Sequence, residues 1–178
     1  MMELVTDYHS GQRRKKVDEP YIHHLLRVRS YALYYYTNSD AVMEPNFFRD
    51  QTWVDWVSLG HDLIEDTKCT YEIIADQYGC RVADGIKNLS NVYTKQAFPR
   101  MKRKERKERE IARLAELPPL ERFIKTCDRM DNLSMRLHEP KHWKKNYQPE
   151  SEALFEAMFP IHGNMFAELE HVAWKMAV

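Results

Sequence analysis

Apolar residues recur at helical spacing in most segments of this chain, and this pattern constrains the fold more than any other feature. After Pro20, which suits the first turn of a helix, the apolar positions are Ile22, Leu25, Leu26, Val28, Ala32 and Leu33. Similar stripes cover residues 53–64, 70–79, 82–89, 120–137 and 150–176, and residues 2–10 suit a short helix. With five glycines among 178 residues, tight β-turns are scarce. We therefore expect an all-α, single-domain bundle over residues 1–178, with the C-terminal stripe broken near Pro160 and Gly163.

Composition excludes several functional classes. The chain is 43% apolar and 30% charged, and its 27 basic residues balance 27 acidic ones, which argues against a disordered chain and against a globally basic nucleic-acid binder. Residues 1–14 lack the apolar stretch of a signal peptide, and no window approaches the ~20 apolar residues of a membrane span. We expect an intracellular, cytoplasmic protein without a nucleic-acid or membrane partner. The sequence makes no prediction of oligomeric state.

The three cysteines carry no predicted chemistry. They are odd in number and widely spaced, at positions 69, 80 and 127, so neither a disulfide framework nor a thiolate zinc site is indicated. We expect them to be small buried apolar residues.

The string His-Asp-Leu-Ile-Glu-Asp-Thr at 61–67 is the sharpest local feature. On a continuous helix Glu65 shares a face with His61 and Asp62, and Asp66 stands four residues beyond Asp62. Carboxylates crowded around one imidazole repel each other, and a divalent cation is the usual relief. In the alternative interpretation, His61 and Asp62 simply bond each other and a backbone group.

Two distant residues could add ligands to such a site. The apolar stripe after Pro20 contains His24, and a core-like segment contains Asp128. His23 competes with His24, but a helix turns adjacent residues roughly 100° apart, so only one of the two can face a given site. We choose His24. A buried Asp128 needs a partner, and a plain salt bridge to Arg129 is the alternative to a metal.

The order of these residues resembles the HD superfamily of metal-dependent phosphohydrolases. The string at 61–67 is similar to that of the RelA/SpoT-type hydrolase domain and of its single-domain form, the small alarmone hydrolases of the metazoan-SpoT-homologue type. Further segments resemble that family's motifs over about residues 9–137: Gln-Arg-Arg-Lys at 12–15, Pro-Tyr-Ile-His-His at 20–24, Thr70 to Val82, and Cys-Asp-Arg-Met-Asp-Asn-Leu at 127–133.

The resemblance implies an HD-type helical bundle that holds one divalent metal ion, Mn²⁺ first, with Zn²⁺, Fe²⁺ or Co²⁺ as alternatives. The implied metal ligands are His24, His61, Asp62 and Asp128. Glu65 and Asp66 would manage the attacking water. The implied substrate contacts are Arg14 and Lys15 at phosphates and Asn132 near the metal.

The activity implied is hydrolysis of the alarmone (p)ppGpp, a small-molecule nucleotide of the stringent response, with release of pyrophosphate and GDP or GTP. One alternative is another HD-type nucleotide phosphohydrolase, acting on a 5′-nucleotide, a dNTP or NADPH. The other is a catalytically silent nucleotide-binding module.

The chain also departs from the family pattern. His24 and His61 are 37 residues apart, which is more than is usual in the family. The extra length falls in residues 37–50, which could form an edge elaboration or a lid. Gly60 replaces an aliphatic residue, Thr-Cys at 126–127 replaces Leu-Ala, and Asp131 stands where an aromatic residue or histidine is usual. These changes bear on substrate identity more than on hydrolysis.

Residues 100–113 contain eight basic and three acidic side chains. Interleaved glutamates allow ion pairs one helical turn apart, which favours a solvated helix face. The alternative is a patch that faces substrate phosphates, with Lys95, Arg100 or Lys102 from the preceding loop reaching a pyrophosphate.

Overall fold

The structure is a computed structural model that describes residues 1–15, 17–39, 51–134, 141, 143–162 and 166–178. Its α-helices are α1 (Met2–Tyr8), α2 (Ile22–Thr37), α3 (Gln51–Gly60), α4 (Leu63–Asp66), α5 (Tyr71–Tyr78), α6 (Cys80–Leu89), α7 (Arg103–Ala115), α8 (Pro119–Ser134), α9 (Gln148–Met158) and α10 (Ala167–Ala177). A π-helical turn, Trp143–Tyr147, precedes α9. Within the described ranges the β pairing is one isolated bridge between Arg13 and Pro20, and the all-α prediction is confirmed.

The helices follow the apolar stripes because each stripe supplies a face that must be buried. Gly79, with φ of +87°, separates α5 from α6, a conformation that glycine adopts without steric cost. The C-terminal stripe forms two helices, and Pro160 lies in the interruption. Gly163, the second predicted break residue, lies outside the described residues, as does most of the segment 37–50.

The prediction of one continuous helix over 53–64 is wrong. α3 ends at Gly60, and α4 begins at Leu63. A Cβ on Gly60 would lie 2.8 Å from Cδ1 of Ile86 on α6, so the end of α3 packs closely on that helix. His61 and Asp62 therefore occupy a short turn between two helices, and Glu65 belongs to the following single-turn helix.

The core forms where α2, α3 and α8 meet. α2 packs on both α3 and α8, while α6 covers the other side of α3 and α10 packs on α8. The largest fully buried side chains include Leu25 of α2, Ile86 of α6 and Phe123 of α8. The candidate site lies among these three central helices and their junctions.

Cys69 and Cys127 are buried, as expected, but Cys80 is exposed because it begins α6 after the Gly79 turn. None of the described helices has the length and apolar character needed to cross a membrane.

Candidate metal centre

His24 comes from the first turn of α2. Leu25 and Val28 on the same helix are fully buried, and this orientation of α2 turns His24 inward. Its side chain is 2% exposed, whereas that of His23 is 51% exposed. Of the two histidines, His24 is therefore the one that reaches the interior.

His61 and Asp62 enter the site from the turn between α3 and α4. The Nδ1 atom of His61 donates to the backbone carbonyl of Ser58 at 2.8 Å, which leaves Nε2 as the atom with a free lone pair. This Nε2 is buried without a hydrogen-bond partner among the described residues. It lies 3.1 Å from Oδ2 of Asp62.

Asp128 reaches the same point from the middle of α8. Its Oδ1 lies 3.5 Å from Nε2 of His24 and 3.8 Å from Nε2 of His61. Its other oxygen, Oδ2, pairs with the buried ammonium of Lys125 at 3.0 Å. The salt bridge considered for Asp128 is thus made by Lys125, whereas Arg129 stacks over the ring of Tyr147 at 4.6 Å.

His24, His61 and Asp62 form a buried group that could hold a metal ion. One donor atom from each lies within 4.8 Å of the others, and His24 Nε2 is 3.5 Å from Asp62 Oδ2. The unpartnered Nε2 of His61 is the observation that tests the fit, because a buried imidazole nitrogen without a partner is costly and a cation would satisfy it. Imidazole with carboxylate suits Mn²⁺, Fe²⁺, Co²⁺ or Zn²⁺.

The electrostatics of the cluster favour bound positive charge. Burial acts to raise the pKa of Asp128, but the Lys125 ammonium and His24 hold it well below its usual range. For His24, burial acts to lower the pKa, yet interactions with Asp128 and Asp131 raise it to about 11. Asp128 therefore stays ionised in the buried cluster, and an ionised carboxylate there favours a bound cation.

Tyr21 links Asp66 to the cluster. Its hydroxyl lies 2.7 Å from Oδ2 of Asp62 and 2.7 Å from Oδ2 of Asp66, and Gln12 donates to the backbone carbonyl of Asp66 at 2.9 Å. Burial raises the pKa of Tyr21, and the two carboxylates raise it further, so the phenol keeps its proton. Asp66 is therefore held beside a candidate ligand although it is itself exposed.

Glu65 lies on the single-turn helix α4, after the break that separates this helix from α3. Its Oε2 accepts from the backbone N–H of Asn91 at 2.9 Å, and its Oε1 accepts from the Asn91 side-chain amide at 2.7 Å. The carboxylate is exposed and lines a cavity of about 160 Å³ between the 91–95 loop and α7.

Basic side chains line this cavity opposite Glu65. Lys95, Arg106 and Lys107 are among them, and Lys107 forms no ion pair with a described residue. Burial lowers the pKa of Lys107, and Arg129 lowers it further, against an opposing effect of Glu150. The cavity lining carries more basic than acidic side chains. The other face of α7 carries exposed pairs such as Arg109 with Glu105 at 2.9 Å. α7 thus has one solvated face and one face on the cavity.

The remaining predicted residues are the four proposed substrate contacts: Asn132, Arg14, Lys95 and Lys15. Asn132 donates to Asp128 Oδ1 at 2.6 Å and accepts from Arg14 Nη2 at 2.6 Å, so both lie beside the candidate ligands. Lys95 and Lys15 are exposed. Lys15 makes no hydrogen bond or ion pair with a described residue.

Comparison with solved structures identifies the fold. A metazoan ortholog of SpoT, which hydrolyzes ppGpp and plays a role in starvation responses, is 20% identical and superposes with a TM-score of 0.70 over 98% of this chain and 93% of its own. This chain shares the SpoT-ortholog fold. The protein lmo0812 from Listeria monocytogenes EGD-e is 19% identical, with a TM-score of 0.64 over 92% of this chain and 96% of its own. No family model matches the sequence, and no curated protein does.

Within the SpoT-ortholog fold, two buried charges lie next to the cluster, Lys125 and Asp131, that sequence reasoning did not assign to the site. Lys125 lies one turn before Asp128 on the same face of α8, a spacing from which the pair could have been found. Asp131 is fully buried and bonds His24, but its partner is 107 positions away in the sequence. No local pattern predicts that contact.

Proposed function

We propose that this chain is a metal-dependent nucleotide phosphohydrolase that removes the 3′-diphosphate of (p)ppGpp. The observation that carries the proposal is the convergence of His24, His61 and Asp62, with Asp128 beside them, at one buried point. The fold, shared with a protein that hydrolyzes ppGpp, supports it.

His24, His61, Asp62 and Asp128 would hold the ion, with Mn²⁺ as the first choice. When bound, such an ion acidifies a coordinated water and offsets phosphate charge. These residues supply two imidazole nitrogens and two carboxylates from three separate parts of the chain. Because the fold already brings these groups together, metal binding requires little rearrangement.

Glu65 and Asp66 are the proposed general bases. Asp66 is fixed beside Asp62 through Tyr21, and Glu65 is fixed by two bonds from Asn91. A carboxylate held in this way can orient a water and accept its proton. Attack of that water at the phosphorus bonded to the ribose 3′ oxygen breaks the bond between them, pyrophosphate leaves, and the 3′ oxygen takes up a proton.

The cavity beside Glu65 is the proposed place for further phosphates of the substrate. Lys95 and Lys107 supply positive charge there, and phosphate oxygens in a partly desolvated cleft are stabilised by such groups. On the opposite side, Arg14 has donors beyond the two that bind Asp131 and Asn132, so it and Lys15 remain the proposed contacts at the 3′-diphosphate. Asn132 is the proposed substrate contact nearest the ion.

A substrate panel tests the proposal. The purified protein with Mn²⁺ is incubated separately with ppGpp, a dNTP and NADPH, and pyrophosphate or phosphate release is measured. We expect pyrophosphate release from ppGpp, and loss of turnover in Asp62→Ala, which removes a metal ligand. Turnover of the dNTP or NADPH alone would move the assignment to another nucleotide phosphohydrolase. Metal binding without any turnover would indicate a silent nucleotide-binding module.

A further inference from the structure

Asp131 is a fully buried carboxylate directly behind His24. It lies on α8 three residues after Asp128, and its side chain has no solvent exposure. Its Oδ2 lies 2.7 Å from Nδ1 of His24. Because a carboxylate accepts, the imidazole must donate its Nδ1 proton, and Nε2 is the nitrogen that faces Asp62 and Asp128 at 3.5 Å each.

Two guanidinium groups donate hydrogen bonds to the carboxylate of Asp131. Arg14 Nη1 donates to Oδ2 at 2.8 Å, and Arg27 Nε donates to Oδ1 at 2.5 Å. An ionised carboxylate is the stronger acceptor for an imidazole N–H.

The same hydrogen-bond network also reaches a second candidate ligand, Asp128. Arg14 also donates from Nη2 to Oδ1 of Asn132 at 2.6 Å, and Asn132 donates from Nδ2 to Oδ1 of Asp128 at 2.6 Å. A chain of hydrogen bonds therefore runs from His24 on α2 through Asp131 and Arg14 to Asp128 on α8. It joins the two candidate ligands that are most distant in sequence.

We infer that Asp131 is the positioning residue of the metal centre: it holds His24 with its proton on Nδ1 and its Nε2 toward the ion, and through Arg14 and Asn132 it sets the distance to Asp128. This inference rests on the proposed metal centre. His61 offers an internal comparison, since its Nδ1 donates to the neutral carbonyl of Ser58. A carboxylate partner orients a metal-binding imidazole and makes it a better donor than a neutral partner does.

Metal affinity of Asp131→Asn tests the inference. The amide keeps the shape of the carboxylate but not its charge. We expect Mn²⁺ to bind about 10- to 100-fold more weakly, the usual effect of losing such a partner, in calorimetric titration of metal-free protein. Asp55→Asn is the matched control, because Asp55 also pairs with an arginine, Arg29, but on the outer part of α3. We expect the Mn²⁺ affinity of Asp55→Asn to equal that of the wild type. Equal affinity in Asp131→Asn would overturn the inference.

A measurement on the unmodified protein keeps the inference testable if Asp131→Asn does not fold. Long-range ¹H–¹⁵N spectra of the Zn²⁺-loaded wild type report which nitrogen of each histidine carries a proton. We expect His24 to be protonated at Nδ1 and metal-bound at Nε2. A proton on Nε2, or an Nδ1 atom bound to zinc, would overturn the inference, as would a wild type that binds no metal. Metal binding without ppGpp hydrolysis would overturn the proposed function alone.

Discussion

Glu65 is the residue whose environment differs most from the sequence expectation. The pattern His-x-x-x-Glu predicts that it shares a face with His61, whereas the structure fastens it to Asn91 at the edge of a basic cavity. The two positions lead to different chemistry. A carboxylate facing His61 could serve as a further metal ligand, whereas one held 2.7–2.9 Å from Asn91 donors fits the proposed role of orienting a water.

Substitution of Glu65 separates these roles. We expect Glu65→Ala to keep the Mn²⁺ affinity of the wild type and to lose about 100-fold or more in kcat on ppGpp, because general-base groups typically contribute 10²–10⁴. Calorimetric titration measures the affinity and pyrophosphate release measures the rate. Glu72→Ala, at another exposed carboxylate on α5, is the control and should change neither. An unchanged rate in Glu65→Ala would remove Glu65 from the mechanism, and lost affinity would make it a ligand.

At the residue scale, sequence reasoning can predict the features of a site that depend on residue type and local spacing. It singled out His24, His61, Asp62 and Asp128 as candidate ligands, and the family resemblance supplied the set of four, which stays a prediction. The contacts of Asp131 and Glu65 were beyond its reach. The contact of Asp131 with His24 depends on how α2 and α8 pack against each other. The contact of Glu65 with Asn91 follows a two-residue break between α3 and α4, which helical periodicity does not predict.

Close packing between α3 and α6 governs the position of the His61–Asp62 turn. Trp53 of α3 lies against the backbone of Gly85 on α6, where an added Cβ would be 2.6 Å from the indole Cζ2. The indole also donates from Nε1 to the carbonyl of Arg81 at 3.1 Å, so the ring has little freedom to move. Glycine is needed at 85 for this approach of the two helices.

We expect Gly85→Ala to destabilise the protein by about 1–3 kcal/mol, since over-packing a rigid contact usually costs that much. This is opposite to the ordinary gain from replacing a helical glycine with alanine. Urea unfolding of metal-free protein measures the free energy. Lys87→Ala, an exposed change on the same helix, should stay within about 0.5 kcal/mol of wild type. A stabilised Gly85→Ala would show that α3 and α6 separate easily.

Helix positions were predictable at the scale of elements because apolar periodicity is a local property. The stripes at 22–33, 82–89 and 120–137 correspond to α2, α6 and α8. The end of α3 at Gly60 was not predicted, since the close contacts of this residue with Ile86, Met1 and Leu63 are tertiary and leave no local pattern in the sequence.

On the scale of the whole molecule, the proposed metal ligands lie on elements that are far apart in the sequence. They come from α2, from the α3–α4 turn and from α8, and these elements also form the core. A ligand that binds only the folded state stabilises it in proportion to the logarithm of its concentration. Metal binding and global stability should therefore be coupled.

Thermal unfolding with and without Mn²⁺ tests this coupling. At a metal concentration about 100 times Kd, the expected stabilisation is about 2.7 kcal/mol, which corresponds to a rise in Tm of about 5–10 °C for a chain of this size. Asp62→Ala should show no comparable rise, because it lacks a ligand. The same rise in Asp62→Ala would mean that Mn²⁺ binds elsewhere.

The order of the proposed ligands along the chain has a consequence for inheritance. The proposed ligands extend from the second helix to the eighth. A gene segment that passes the complete ligand set to another protein by recombination must therefore encode nearly all of the central helices. Exchange between relatives can then vary α9 and α10, which follow the last proposed ligand, but crossovers between the second and eighth helices would separate the proposed ligands.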